Sequence, residues 1–76
     1  MMIKEAIHID PHVLGGTPVF KGTRVAVKTL FDYLEGSSLE DFLAGFPTVK
    51  REQAEAVIEW ASELTLHFLK TYESAA

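Results

Sequence analysis

From about Lys50 to Tyr72, Ala54, Val57, Ile58, Ala61, Leu64, Phe68, Leu69 and Tyr72 recur at helical spacing on one side. A helix of about 23 residues rising 1.5 Å per residue is about 34 Å long. Two shorter helical segments precede it. Val27, Leu30, Phe31 and Leu34 form an i, i+3, i+4, i+7 stripe in a helix starting near Ala26, and Leu39, Phe42, Leu43 and Phe46 repeat it. At eight or nine residues each, these span about 13 Å and cannot cover the long helix. Leu64, Leu66, Phe68, Leu69 and Tyr72 are then left bare on a monomer, and such a patch marks an interface. The expectation is a symmetric homodimer through the C-terminal half of the last helix, with the N-terminal ribbon taking part.

Punctuation supports the three-helix reading. Gly36 sits where a left-handed cap closes the first helix. Ser38 with Asp41 three residues on resembles a capping box, and Pro47 ends the second helix. Ahead of the helices, IHID at 7–10 alternates in polarity, and VFKGTRV at 19–25 sets β-branched and aromatic residues around Gly22, so both read as strands of a bulged ribbon. The fold expected is one mainly α domain over 1–76. A short β-ribbon arm (1–25) is followed by a three-helix, helix-turn-helix or homeodomain-like bundle (26–72) whose C-terminal helix is long. At 76 residues and with no cysteine, the core is thin and has no disulfide or Cys-based zinc to reinforce it, leaving oligomerisation.

The N-terminus MMIKEAIHID carries Glu5 and Asp10 and no apolar signal region, and no window of about 18 apolar residues exists, so a soluble cytoplasmic protein with no membrane partner is expected. Residues 1–28 carry four cations against two acids, net +2. Residues 29–76 carry three against nine, net −6, which together give the overall −4. Affinity for nucleic acid comes from neutralising phosphates, so any DNA contact must be local.

The stretch LGGTPVFKGTRV at 14–25 superficially resembles a phosphate loop, but Lys21 and Gly22 are transposed relative to one, and the chain has no room for the parallel sheet it requires. Gly15 and Gly22 suit positive φ, Pro18 fixes its strand, and Thr23 can bond a neighbouring backbone group. Arg24 is thereby held at a defined place, with a planar fork suited to carboxylate or phosphate. The expectation is that a carboxylate such as Asp10 or Asp32, of the same chain or a dimer mate, clamps Arg24, while Lys21 is exposed at the tip. His8, Asp10 and His12 offer metal-binding groups, yet Pro11 interrupts their register and a fourth ligand is lacking, so no metal site is expected. His67 reads as a surface or interface residue. With no nucleophile spacing, neither catalysis nor a cofactor is expected. Trp60, at the edge of the apolar stripe, is expected to be buried with its indole N–H bonded.

Asp10-Pro11, Leu14-Gly15-Gly16 with Pro18-Val19, and Lys21-Gly22-Thr23-Arg24-Val25, followed by a Leu-rich helix, a Gly-Ser turn and Phe-Pro before the last helix, together resemble the domain-of-unknown-function 433 family over roughly residues 3–62. The resemblance implies a homeodomain-like core. It also implies an antitoxin role beside a PIN-like ribonuclease toxin, as many members are regarded. Lys50 stands where the family usually has a Thr that caps the last helix, unless Thr48 substitutes, and Ala26 stands where it usually has Pro.

Two functions remain. In the first, a non-catalytic interaction protein binds and neutralises a PIN-like nuclease, with Lys21, Arg24, Glu55 and Glu59 as the partner-binding residues. In the second, a helix-turn-helix regulator brings Lys50, Arg51 and Gln53 to DNA. The acidic run Glu52, Glu55, Glu59 and Glu63 would lie beside phosphates and favours the first.

Overall fold

A long helix organises the chain, as the spacing predicts. In a computed structural model, which describes the backbone of residues 1–75 and the side chains of residues 1–73, α4 runs Arg51–Ala75. The elements before it are α1 (Ile3–Ala6), β1 (Ile7–His8), a 3₁₀ turn (Leu14–Gly16), β2 (Val19–Phe20), α2 (Val27–Leu34) and α3 (Leu39–Gly45). The fold is mainly helical with a two-stranded antiparallel ribbon near its N-terminus, Ile7 opposite Phe20 and His8 opposite Val19.

The strands are shorter than their alternation predicts, for local reasons. The Asp10 carboxylate accepts from the His12 N–H at 2.8 Å and its carbonyl from the Val13 N–H at 2.9 Å, turning the chain after Ile9. On the second strand, Phe20–Thr23 forms a turn closed by the Thr23 N–H on the Phe20 carbonyl at 3.0 Å, with Gly22 at φ +80°. Only glycine adopts that backbone without strain. Beyond the turn the Phe20 N–H donates to the Val25 carbonyl, and Val19 bridges Ala26 at the start of α2. The one-turn helix α1 is too short to show a period in the sequence; Glu5 reaches back to the Met2 N–H at 3.0 Å.

Ser38 caps α3 as expected, its Oγ accepting from the Asp41 N–H and the Asp41 carboxylate accepting from the Ser38 N–H. Gly36 departs from expectation. Among the described residues positive φ is confined to Leu14, Gly15, Gly16 and Gly22, and α2 ends with the Tyr33 carbonyl accepting from both Gly36 and Ser37 N–H groups. Thr48 does not cap α4. The Lys50 N–H is bonded instead by Gln53 Oε1 at 2.9 Å.

The core gathers one or two side chains from nearly every element: Ala6, Phe20, Leu30, Phe42, Val49, Ala54 and Val57. Phe42 is its hub, with ring centroids 5.9 Å from Phe20, 5.7 Å from Tyr33 and 5.1 Å from Phe46. α1 packs on α4, and α2 on α3.

The buried polar residue is Gln53. Its Nε2 donates to the carbonyls of Lys21 at 3.0 Å and Ala6 at 3.3 Å, while Oε1 holds the Lys50 N–H. One amide joins α1, the ribbon turn and the start of α4. Gln53→Leu keeps the volume but strands the Lys50 N–H and the Lys21 carbonyl, each costing about 1–3 kcal/mol when buried, while the Ala6 carbonyl keeps its bond from the Lys21 N–H. The variant is expected to lose about 2–4 kcal/mol in urea unfolding, and wild-type stability would show the clasp to be dispensable.

Candidate interaction surfaces

Two surfaces stand out, and both follow from how the ribbon and α4 are held. The first is the cation-bearing turn. Thr23 Oγ1 donates to the Phe20 carbonyl at 2.8 Å and accepts from the Val25 N–H at 3.0 Å, so the residue between, Arg24, leaves a backbone braced on both sides. Arg24 lines an open cleft of about 690 Å³ with His8, Val13, Thr23, Val25 and Thr48. The clamp expected from Asp10 or Asp32 within the chain is not formed. Asp10 lies 3.7 Å from His8 Nε2, and Asp32 binds Lys28 Nζ at 2.9 Å one helical turn away. Asp32 raises the Lys28 pKa through that hydrogen bond and its charge. Arg24 is exposed and, like Lys21 at the turn's tip, has no ion-pair partner among the described residues.

The other arginine is engaged. Arg51 Nη2 donates to both oxygens of Glu40, tying α4 to α3, and the Glu40 hydrogen bond and charge raise the guanidinium above its already high range. Of the three residues expected to approach DNA, Arg51 is therefore paired and Lys50 is exposed. Gln53 is corrected outright: it is buried, both its amide protons are taken by backbone carbonyls and its Oε1 holds the Lys50 N–H, so it presents no donor to a base edge.

The second surface is apolar. Burial along α4 stops at Ala61, and every residue from Ser62 to Glu73 is exposed. At 100° per residue, Leu64, Phe68 and Tyr72 continue the line of Val57 and Ala61, Leu69 flanks it, and Leu66 falls toward the opposite side, with Glu55 and Glu59. Beside the buried end of that stripe is a groove of about 280 Å³ whose walls include Ile7, Ile9, Val27, Phe31 and Trp60, with Val57 and Ala61 from α4. Phe31 and Ala61 also border a neighbouring depression of about 410 Å³ with Leu34, Ile58 and Leu66. The burial expected of Trp60 is not realised. It is 47% exposed, one wall of a groove that side chains of α1, β1 and α2 line with it without covering it. No group of three or more His, Asp or Glu side chains able to hold a metal occurs among the described residues, and His8 and Asp10 approach each other without His12.

A braced β-turn on a small helical body, with a last helix overrunning that body, defines a short, mainly helical protein. The family model described as protein of unknown function (DUF433) matches residues 7–61, and the chain belongs to that family. The match stops at Ala61, where burial along α4 also stops. The structure is similar to the crystal structure of a DUF433 member protein from Anabaena variabilis ATCC 29413, with a TM-score of 0.68 and 26% identity over 91% of this chain and 69% of that one. No curated protein matches the chain. No described helix is long and apolar enough to cross a membrane.

Because an exposed, unpaired cation contributes only about 0–1 kcal/mol to stability, Arg24→Ala and Lys21→Ala should each melt within a few degrees of the parent. A large loss for Arg24→Ala alone would place a carboxylate of a second copy against it.

Proposed function

We propose that the chain is a non-catalytic interaction protein, an antitoxin that binds and neutralises a PIN-like ribonuclease, and that it acts as a homodimer. The observation that carries this reading is the Gly22-Thr23-Arg24 turn. It presents Lys21 and Arg24 without an acid of their own chain, although acids outnumber cations in the protein by eleven to seven. Arg51 is neutralised by Glu40 and Lys28 by Asp32, whereas the guanidinium of Arg24 projects from a backbone fixed by Thr23. The guanidinium is a planar fork that suits a carboxylate on a protein partner, and the braced backbone fixes where its stem leaves the turn. Glu55 and Glu59, exposed on the far side of α4, would meet cations of the same partner only if it wraps the helix. The nuclease itself as partner rests on the family resemblance.

The DNA-binding alternative is weaker. Of Lys50, Arg51 and Gln53, only Lys50 is both exposed and unengaged, and Glu52, Glu55, Glu59 and Glu63 line α4 where phosphates would pass.

The test is inhibition. Purified PIN-like nuclease from the same genome, assayed on RNA, should lose activity with one equivalent of the chain. The Lys21→Ala/Arg24→Ala double variant, with its melting temperature unchanged, should need at least tenfold more. Full nuclease activity at saturating wild-type chain would overturn the reading.

A further inference from the structure

We infer that the apolar stripe of α4 is occupied by the same stripe of a second copy, the two helices crossing antiparallel with their two-fold axis between Leu64 and Thr65. This rests on the homodimer of the proposed function and adds its geometry. In a two-fold interface, if residue i of one copy meets residue j of the other, then j also meets i. For antiparallel helices the two numbers therefore have a constant sum. Ala61 is the small floor residue between two half-exposed aromatic walls, Phe31 and Trp60, where the groove opens onto the stripe. Phe68 is the large apolar residue two turns further on, 70% exposed and in line with Ala61. Seating the second copy's Phe68 over Ala61 sets that sum at 129, which places its Tyr72 over Val57, where the groove continues, and puts the axis between Leu64 and Thr65, with the two Leu64 side chains about 1.5 Å apart along it. Ile58 and Leu69 then share one flank, about 3 Å apart along the axis. Every position on that line, Val57, Ala61, Leu64, Phe68 and Tyr72, is uncharged, so no buried ion has to be stripped of water.

The area fits a second copy. Aromatic side chains bury about 150–250 Å² each and leucines less. The exposed fractions of Phe31, Trp60, Leu64, Phe68, Leu69 and Tyr72 then amount to roughly 700 Å² per copy, against about 800 Å² per partner in a stable interface. The overhang and the groove each lack a cover and belong to the same chain, so one antiparallel crossing covers both, twice.

The chain has no cysteine, so one introduced thiol reports the register. Leu64→Cys at micromolar concentration under mild oxidation should convert mostly to a disulfide-linked dimer. Leu66→Cys, about 160° round the helix, should stay mostly unlinked. Both positions are exposed in the single chain, so neither substitution disturbs the core. A dimer by sedimentation in which Leu64→Cys fails to link, or Leu66→Cys links equally well, would overturn the crossing while leaving the homodimer standing. A monomer at micromolar concentration, including one that pairs only when another protein is added, would overturn both. Trp60, the chain's single tryptophan, gives a second readout: its emission should move to the red on dilution below the dimer concentration, and Phe68→Ala should show the red-shifted emission at all concentrations. An emission that ignores both concentration and Phe68 would contradict the seating.

Discussion

Gln53 is the interaction on which the arrangement depends. Buried side-chain amides are stable only when their hydrogen-bonding capacity is met, and here both ends are met by backbone of separate segments. Nε2 reaches the carbonyls of Ala6 and Lys21, residues next to or within the ribbon, while Oε1 takes the first N–H ahead of α4. The Lys21 N–H also donates to the Ala6 carbonyl, so the edge of the ribbon, the end of α1 and the start of α4 meet at one point. Both candidate surfaces are placed by that junction. Lys21 is the first residue of the cation-bearing turn beyond Phe20, and α4 leaves the body in a direction set from its first turn.

The overhang is then a matter of length. α4 has 25 residues, about 38 Å of helix, and the molecule's long dimension is 42 Å. The body that Gln53 assembles reaches only as far as Ala61. The distal half continues a helix already nucleated in the body, so its backbone needs no partner to start it, yet helices in proteins draw most of their stability from packing an amphipathic face. Within the chain the distal side chains have almost nothing to pack on. The ribbon turn poses the reverse case: small in area, yet held by glycine geometry and two hydrogen bonds of Thr23, with no need of a partner for its shape.

Much of this was legible in the sequence. The three helical segments, the Ser38–Asp41 cap, the glycine at the ribbon turn and the uncovered C-terminal residues follow from spacing and length, because these are local or additive properties. What escaped depended on contacts distant in sequence. Gln53 sits among charged residues at a helix start, where a sequence reading takes it for a solvent-facing group; its partners are 32 and 47 residues away. Trp60 reads as core because aromatics generally are, but whether it is covered depends on how α1, β1 and α2 pack across the groove they line with it. Arg24 invited a clamp from Asp10 or Asp32. Both acids instead take neighbours within four residues, His8 and His12 for Asp10 and Lys28 for Asp32, where the geometry comes with the local backbone. Gly36 met the usual pattern for a left-handed cap, and Tyr33 closes the helix without one.

The proximal half of α4 is ordered by packing within its own chain, and in the proposed dimer the distal half is covered by the second copy. Amide hydrogen exchange followed residue by residue at two protein concentrations tests it directly. The amides of 54–61 should be protected at both. Those of 64–72 should be protected when the protein is concentrated and exchange at least tenfold faster after dilution. Equal protection of the distal amides at every concentration, or none at any, would contradict the account.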